Sequence, residues 1–514
     1  MNLSNSLAKR QSAVMLILLA VTVFNASRHY PARQPVLLDF SLDYYFAQEI
    51  GKGRVLYRDA WDHKTPLTRY LAAACYRLSR SFPGIDFILS VRFLFIGLLF
   101  ITSLVIYFLV KDWFSDDWIA FLASFIFILQ NDVMNFACSG PASKILMNLM
   151  GLTSLWMIRK RGVIPAGMFA ALAFLDWQPG ILFTAPFIVY LFHRSDDLAA
   201  NVLKYLLGFC LPVAAFLLYF QYHNALGYFI DSTYWFNTMR VSSQFNLVVN
   251  SKMFFSKLVK LQESAWFFGG LAGCLAYPLF RKNRSVETRR NLDQLYLLTV
   301  GTLTYSFVNF NDLRDITPFT PLVAIWLAAL FGLAGRTGYF QPGGFRKGLF
   351  KGGVLTLFLA TSLPHTISFN LARPVRVIYY RNGEAVSYVN VVDFDLKLQK
   401  RYIKEFLGNN PGRLLVIWPL EFLVLKGLSN PISFPCFTED SYRYIEKYYE
   451  NGWKGIMDRI KSYAPETIVM RPEGRGDPLC MADLRRFVKD NHYRLKFTID
   501  KPDGPACIYV RDHG

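Results

Sequence analysis

Ile88-Leu-Ser-Val-Arg-Phe-Leu-Phe-Ile-Gly-Leu-Leu-Phe-Ile-Thr-Ser-Leu-Val-Ile-Tyr-Phe-Leu-Val110 carries a single charged residue, Arg92. A run of this length and polarity covers the roughly 20 residues that a helix needs to cross the hydrocarbon of a bilayer. Working outward, similar apolar runs occur near 12–27, 117–130, 145–158, 162–175, 179–192, 202–221, 265–280, 294–310, 317–334 and 349–368. That makes about eleven, several of them short, so tilted or broken helices packed within a bundle are expected. The composition agrees: 53% of the 514 residues are hydrophobic and 18% charged, with a mean hydropathy of +0.25. A water-facing enzyme surface needs more charge than this. The run at 12–27 follows Lys9 and Arg10 but is trailed by Asn25, Ser27, Arg28 and His29 and not by a small-residue cleavage site, which predicts a retained helix.

The net charge of +19 invites a nucleic-acid reading until its position is considered. Residues 373–514 hold 23 basic and 18 acidic side chains, whereas residues 1–372 hold 33 and 19. The excess therefore lies in the apolar part, as short clusters between runs: Lys9-Arg10, Lys111, Arg159 to Arg161, His193-Arg194, Arg281 to Arg290, and Arg336 to Lys347. Such clusters set membrane sidedness, and no nucleic-acid partner is expected. They recur after every second run, which places the N-terminus inside. Residues 28–87, 131–144, 222–264 and everything past about 369 then fall on the opposite face.

The chain divides into a membrane part, 1–368, and an α/β unit, 369–514. In the latter, residues 414–418, 468–471, 495–499 and 507–511 read as strands, and 395–407, 439–463 and 481–490 as helices. The turn-rich Arg471-Pro-Glu-Gly-Arg-Gly-Asp-Pro lacks a phosphate-loop lysine, so the unit reads as accessory: closing over or recognising something. The seven cysteines form no CxxC pair and no HExxH occurs, leaving zinc chemistry unsupported. A disulfide among Cys436, Cys480 and Cys507 stays open.

The chemistry concentrates in the first outer loop. Asp39, Phe40, Asp43, Phe46, Ala47 and Ile50 follow helical spacing, predicting a short interfacial helix with Asp39 at its start and Asp43 one turn on. Thr65-Pro66 has the chemistry of an N-cap and first helical position for a second helix through Leu67, Tyr70, Leu71 and Ala74. Between them lies a polar knot, Arg58 to Lys64. The pattern Asp, Tyr-x-x-Ala-Gln, Gly-x-x-x-Tyr-Arg-Asp-x-x-Asp-His-Lys-x-Pro-Leu-x-x-Tyr resembles the first periplasmic loop of GT-C glycosyltransferases, the bacterial relatives of protein O-mannosyltransferases and of the lipid A aminoarabinose transferase. Leu175 to Gly180 is similar to that family's short outer turn, and Asn311 to Asp315 before Pro318 is similar to its Arg-containing approach to a late span.

The resemblance implies a polytopic α-helical protein of the bacterial inner membrane, with its N-terminus cytoplasmic and its α/β domain periplasmic. It also implies a glycosyltransferase that moves a sugar, with inversion, from a polyprenyl-phosphate carrier to a lipid, glycan or protein acceptor. Asp39 falls on the general base, with Asp43 beside it. Arg58, His63, Lys64, Lys144 and Arg314 are assigned to the donor phosphate, because a leaving phosphate needs cations in a water-poor site. Relatives carry a Lys in the short turn where Trp177 stands here, and Lys144 is read either as its replacement or as snorkelling from a helix end. Asp62, Asp132, Asp176 and Gln178 are cavity or acceptor candidates, Asp132 and Asp176 with equal claims as helix-end residues. Arg92 is expected to snorkel, and Tyr228, Phe229, Tyr234, Trp235 and Phe236 to form an interfacial belt or stack on sugar. No cofactor is expected; a divalent metal held by Asp39 and Asp43 has only weak support from two carboxylates. A lipid-linked glycan ligase or polymerase, or a glycolipid transporter of like topology, is the alternative. The sidedness is testable: a C-terminal reporter active only outside the cytoplasm should be active, and one active only inside should be silent.

Overall fold

A chain in contact with lipid must satisfy its backbone N–H and C=O groups internally, so apolar runs become helices. In the computed structural model, which describes residues 2–193, 197–244, 246–261, 263–282, 285–308, 313–334, 344–362, 375–381, 384–391, 394–438, 440–449, 451–471, 477–500 and 505–512, the described part of each of the eleven runs falls in a helix or an adjoining helix pair. The helices are α1 (Asn2–Arg28), α2 (Leu38–Gly51), α3 (Leu67–Ser81), α4 (Phe87–Phe114), α5 (Asp117–Leu129), α6 (Asn131–Ser139), α7 (Ser143–Arg159), α8 (Val163–Asp176), α9 (Ala185–His193), α10 (Leu198–Tyr222), α11 (Leu226–Ile230), α12 (Phe236–Gln244), α13 (Leu247–Val259), α14 (Ser264–Leu275), α15 (Tyr277–Arg281), α16 (Val286–Val308), α17 (Thr320–Ala334) and α18 (Gly344–Ser362). Two 3-10 segments, Gln178–Thr184 and Leu313–Phe319, lead into α9 and α17.

Among the described residues, four segments are long and apolar enough to cross a bilayer: Lys9–Arg28, Phe87–Phe114, Leu198–Tyr222 and Arg314–Gly332. α5 and α6 form a fifth apolar stretch bent by 57°, and four shorter apolar helices accompany them. Where helices approach most closely, glycine is required. Cβ atoms at Gly167 and Gly208 would meet the backbone of Tyr205 and Ile164, so α8 and α10 touch main chain to main chain.

Arg92 departs from the snorkelling expectation. It is fully buried and donates to the Ser139, Pro31 and Pro35 carbonyls at 3.3, 2.6 and 3.4 Å, pinning the segment before α2 to the end of α6. Its charge satisfies carbonyls that have no helical partner. Thr65 does not cap α3: the helix starts one residue later than expected, Pro66 supplies the first accepting carbonyl, and the Thr65 hydroxyl is buried without a hydrogen bond.

The C-terminal unit folds as a six-stranded mixed sheet, with β1 (Val375–Arg381), β2 (Glu384–Val391), β3 (Leu414–Ile417), β4 (Thr467–Met470), β5 (Tyr493–Asp500) and β6 (Ala506–Arg511) in the order β2-β1-β5-β6-β4-β3. Among the described strands, only β3 and β4 pair in parallel. Helices α19 (Leu396–Leu407), α20 (Glu421–Lys426), α21 (Ser441–Tyr448), α22 (Gly452–Tyr463) and α23 (Pro478–Asp490) accompany it. The β1–β2 hairpin and α20 were not foreseen, and the expected 439–463 helix is two, interrupted where Asn451 and Gly452 turn left-handed at φ 62° and 54°. All seven cysteines are free, so Cys436, Cys480 and Cys507 form no disulfide. The boundary near 368, the cluster from Arg336, Arg194, Asn311-Asp312 and the turn after Arg471 lie outside the described residues.

The loop between α1 and α4 is clamped between helices and sheet. Gln399 on α19 exchanges two 2.8 Å bonds with the Val36 backbone, Gln48 donates to the Leu428 carbonyl at 2.8 Å, and the Trp61 N–H donates to the Ser433 carbonyl at 2.8 Å. The Trp61 and Phe434 rings stack at 5.1 Å. This fixes the site relative to both parts of the chain. Gly208→Val should separate α8 from α10 and cost about 1–3 kcal/mol as overpacking, read as a lower thermal midpoint in nanodiscs, with Gly208→Ala intermediate.

Candidate active site

Asp39 lies in the first turn of α2, where the positive end of the helix favours a carboxylate, and Asp43 follows one turn later on the same face. Beneath them sits Arg69, fully buried in the first turns of α3. Its Nη2 is 2.5 Å from Asp43 Oδ1 and its Nε 2.9 Å from Asp62 Oδ2. The other Asp62 oxygen accepts the Lys64 N–H at 3.2 Å, and the Tyr57 hydroxyl donates to the Lys64 carbonyl at 2.8 Å. The polar knot is therefore a template that holds Lys64. Its ammonium lies 3.7 Å from Asp39 and 3.9 Å from Asp43, while Arg314 Nη1 reaches Asp39 at 2.9 Å.

Lys144 comes from the opposite side. It pairs with Asp315, the residue after Arg314, and sits over the Trp177 ring at 4.7 Å. The aromatic residue in the short turn thus receives the cation of the second outer loop. The His63 backbone carbonyl accepts from Gln178 Nε2 at 3.2 Å and Asn237 Nδ2 at 2.6 Å, which secures the segment to the short turn and to α12.

These groups open on one cavity of about 1390 Å³. Asp39, Asp43, His63, Lys64, Lys144, Gln178 and Arg314 line it, whereas Arg58, Asp62, Asp132 and Asp176 do not. Arg58 pairs with Asp59 at 2.8 Å and donates to the His223 carbonyl at 2.7 Å, fastening the loop to the end of α10. Asp62 is the partner of Arg69. Asp176, buried, accepts from Thr68 at 2.5 Å and ties α8 to α3. Asp132 sits at the α5–α6 bend, next to Asn131, whose N–H donates to Glu263 at 2.9 Å. Of the aromatic run, Phe229 and Tyr234 reach the lining, while Phe236 packs between Trp61 and Tyr444. Apolar side chains, among them Phe174, Ile181, Leu182, Val213, Phe216 and Leu217, complete the wall. Lipid with an anionic group is the chemistry such a cavity suits.

Burial works against the Asp39 charge, but Arg314, then Lys64, His63 and Lys144, outweigh it and hold the carboxyl well below the usual carboxylate range. Burial is the larger influence at His63, bringing it down to about 3 despite Asp62, so this imidazole is neutral at ordinary pH. The carboxylates Asp39 and Asp43 are occupied by Arg314, Lys64 and Arg69, and among the described residues no three His, Cys, Asp or Glu converge.

Arg69, Asp315, Arg240, Trp418 and Thr438 were missed. Arg69 lies on the face of α3 opposite Leu67, Tyr70 and Ala74, among the buried Thr68, Ala72 and Ala73, so the apolar face expected of this helix carried no signal for it. Trp418 and Thr438 come from the C-terminal unit and had none, because only the tertiary fold brings them to the cavity.

With the geometry in view, comparison with known proteins is informative. A family described as DolP-mannose mannosyltransferase matches residues 53–218, a segment that includes Arg58, Asp62, His63, Lys64, Lys144, Asp176 and Gln178. A dolichol phosphate-mannose mannosyltransferase of Haloferax volcanii is 30% identical over 173 residues, 33% of this chain and 37% of that protein. The structure of ArnT from Cupriavidus metallidurans bound to undecaprenyl phosphate superimposes over 97% of this chain and 98% of its own at a TM-score of 0.62, with 12% identity. The chain has the GT-C fold. The likeness read from the first outer loop is thereby borne out, and so is a multi-pass GT-C membrane protein with a C-terminal α/β domain. The oligosaccharyltransferase AglB of Archaeoglobus fulgidus, in complex with an inhibitory peptide and a dolichol-phosphate, is also similar, covering 96% of this chain and 74% of AglB at a TM-score of 0.52 and 12% identity.

Arg69→Met should leave Asp43 and Asp62 buried without their counter-charge and cost about 3–5 kcal/mol. Thermal unfolding in nanodiscs would register this as a large fall in the midpoint, with Arg69→Lys retaining part of it.

Proposed function

We propose that the protein is a membrane glycosyltransferase that takes a sugar from a polyprenyl-phosphate carrier, with Asp39 as general base. The observation that carries this reading is the convergence of Asp39 with Lys64 and Arg314 in a cavity whose remaining wall is largely apolar. The dolichol-phosphate mannose and undecaprenyl-phosphate relationships of the similar proteins support a lipid-phosphate donor.

The donor phosphate binds Lys64, Arg314 and Lys144, and the prenyl chain lies along the apolar wall. Asp39 is clamped by two of these cations, Lys64 and Arg314. The arriving phosphate competes for them, which releases the carboxylate and raises its basicity. An acceptor hydroxyl then gives its proton to Asp39 as its oxygen attacks the anomeric carbon. The bond from that carbon to the phosphate oxygen breaks, the electron pair leaves with the polyprenyl phosphate, and configuration inverts. Lys64 and Arg314 stabilise the added negative charge. Asp43, buried against Arg69, keeps Lys64 in place. The acceptor, a lipid, glycan or protein, is met on the face of the membrane opposite the basic clusters.

Asp39→Asn should lower sugar transfer from a polyprenyl-phosphate donor by roughly 10²- to 10⁴-fold, the usual contribution of a positioned base, while the thermal midpoint stays near wild type. Asp43→Asn should cost less; the reverse order would move the base to Asp43. A pH profile tests the release of the clamp. Because transfer needs ionised Asp39, activity is lost as pH falls through its pKa, and the donor complex, with its cations engaged by phosphate, should lose it first. The acid limb of kcat should therefore lie at higher pH than that of kcat/KM for the donor.

A further inference from the structure

Trp418 and Thr438 are the members of the cavity lining that come from the α/β domain. Trp418 follows β3 directly, and its backbone is left-handed at φ 38°, a conformation that a bulky residue keeps only where the surroundings impose it. The surroundings are specific. The Trp418 N–H donates to the Pro435 carbonyl at 3.0 Å, and the buried guanidinium of Arg471 lies 4.8 Å from the centre of its ring. The indole is half-buried, held from the domain side with part of its surface left to the cavity.

The chain around it leads to the reacting groups. Phe434, next to Pro435, stacks on Trp61, and the Trp61 ring is 5.9 Å from His63, the neighbour of Lys64. Thr438 shares a 3.3 Å hydroxyl contact with Ser441, the first residue of α21, and Tyr444 on that helix packs on Phe236 at 5.3 Å. Asn237 and Thr238, the next residues of α12, line the cavity as well. This stretch of wall offers an aromatic face with neutral hydroxyl and amide groups, whereas Lys64, Lys144 and Arg314 offer charge. A phosphate is recognised by the second set. A pyranose ring, with one apolar C–H face and a rim of hydroxyls, is recognised by the first.

We propose that Trp418 and Thr438 form the acceptor subsite, with the pyranose ring of a glycan acceptor lying on the indole and its hydroxyls meeting Thr438, Asn237 and Thr238. The α/β domain thereby selects the acceptor. This rests on the transferase reading above, and the test separates the two.

The full chain in lipid nanodiscs, free of sugar-headed detergent, is titrated with α-mannobiose and methyl pyranosides by ligand-observed NMR, without and with bound undecaprenyl phosphate. Undecaprenyl-phosphate affinity is measured separately by thermal shift. The wild type should bind the pyranosides whether or not undecaprenyl phosphate is present. Trp418→Ala should weaken that binding about tenfold, equivalent to about 1.4 kcal/mol, Trp418→Phe should retain most of it, and Thr438→Val should weaken it severalfold; all three should keep wild-type undecaprenyl-phosphate affinity and thermal midpoints. Absence of pyranoside binding, equal binding by Trp418→Ala, displacement by undecaprenyl phosphate, or a serine- and threonine-bearing peptide binding in place of the sugars would each overturn the assignment. Failure of the donor reading would appear elsewhere, as a wild type that does not bind undecaprenyl phosphate.

Discussion

A single guanidinium, that of Arg69, is the constraint on which the site depends. It is removed from water and touches two buried carboxylates, Asp43 from α2 and Asp62 from within the polar knot. Taking one cation and two anions out of water is costly and is offset only when each is paired with good geometry. That requirement fixes the spacing between α2 and α3 and the path of the chain from Arg58 to Lys64. The placement of Lys64, and through it the surroundings of Asp39, follows from this arrangement.

Around that node the protein divides its cations by purpose. Arg92 is consumed by backbone carbonyls and holds segments together. Lys64, Lys144 and Arg314 instead line the cavity, paired with carboxylates that an anion can replace. The distinction is energetic. A cation on carbonyls has no negative partner to give up, whereas one on a carboxylate can exchange it for a phosphate of like charge. The C-terminal unit is built into this scheme, since its loops clamp α2 and the Trp61 segment and two of its side chains complete the wall.

The first outer loop disclosed most of the chemistry, because Asp39, Asp43, His63 and Lys64 lie close together in the chain and their spacing survives folding. Arg314 and Lys144 were singled out through the family resemblance of the outer turns and not through the loop itself. Arg58, Asp62, Asp132 and Asp176 have the same residue types in equally plausible positions yet stop short of the cavity. Whether a charged side chain faces substrate or a neighbouring carbonyl depends on the rotation of its helix and the partner it meets, neither of which a local pattern records. The β1–β2 hairpin escaped notice for a related reason: it pairs with β5, more than a hundred residues away, and long-range pairing leaves little local periodicity.

Hydrophobic run length, governed by the thickness of the bilayer, was sufficient to place the helices from the chain alone, and the alternation of strands and helices after residue 395 was sufficient to establish an α/β unit. The convergence of Lys144 with Trp177 and Asp315, the burial of Arg69, and the arrival of Trp418 at the same cavity were decided only in three dimensions. Bilayer thickness and backbone hydrogen bonding act on every segment by itself and so leave a mark in composition. Ion pairing and cavity shape act between segments hundreds of residues apart, and become definite only when the packed chain sets which groups lose water together.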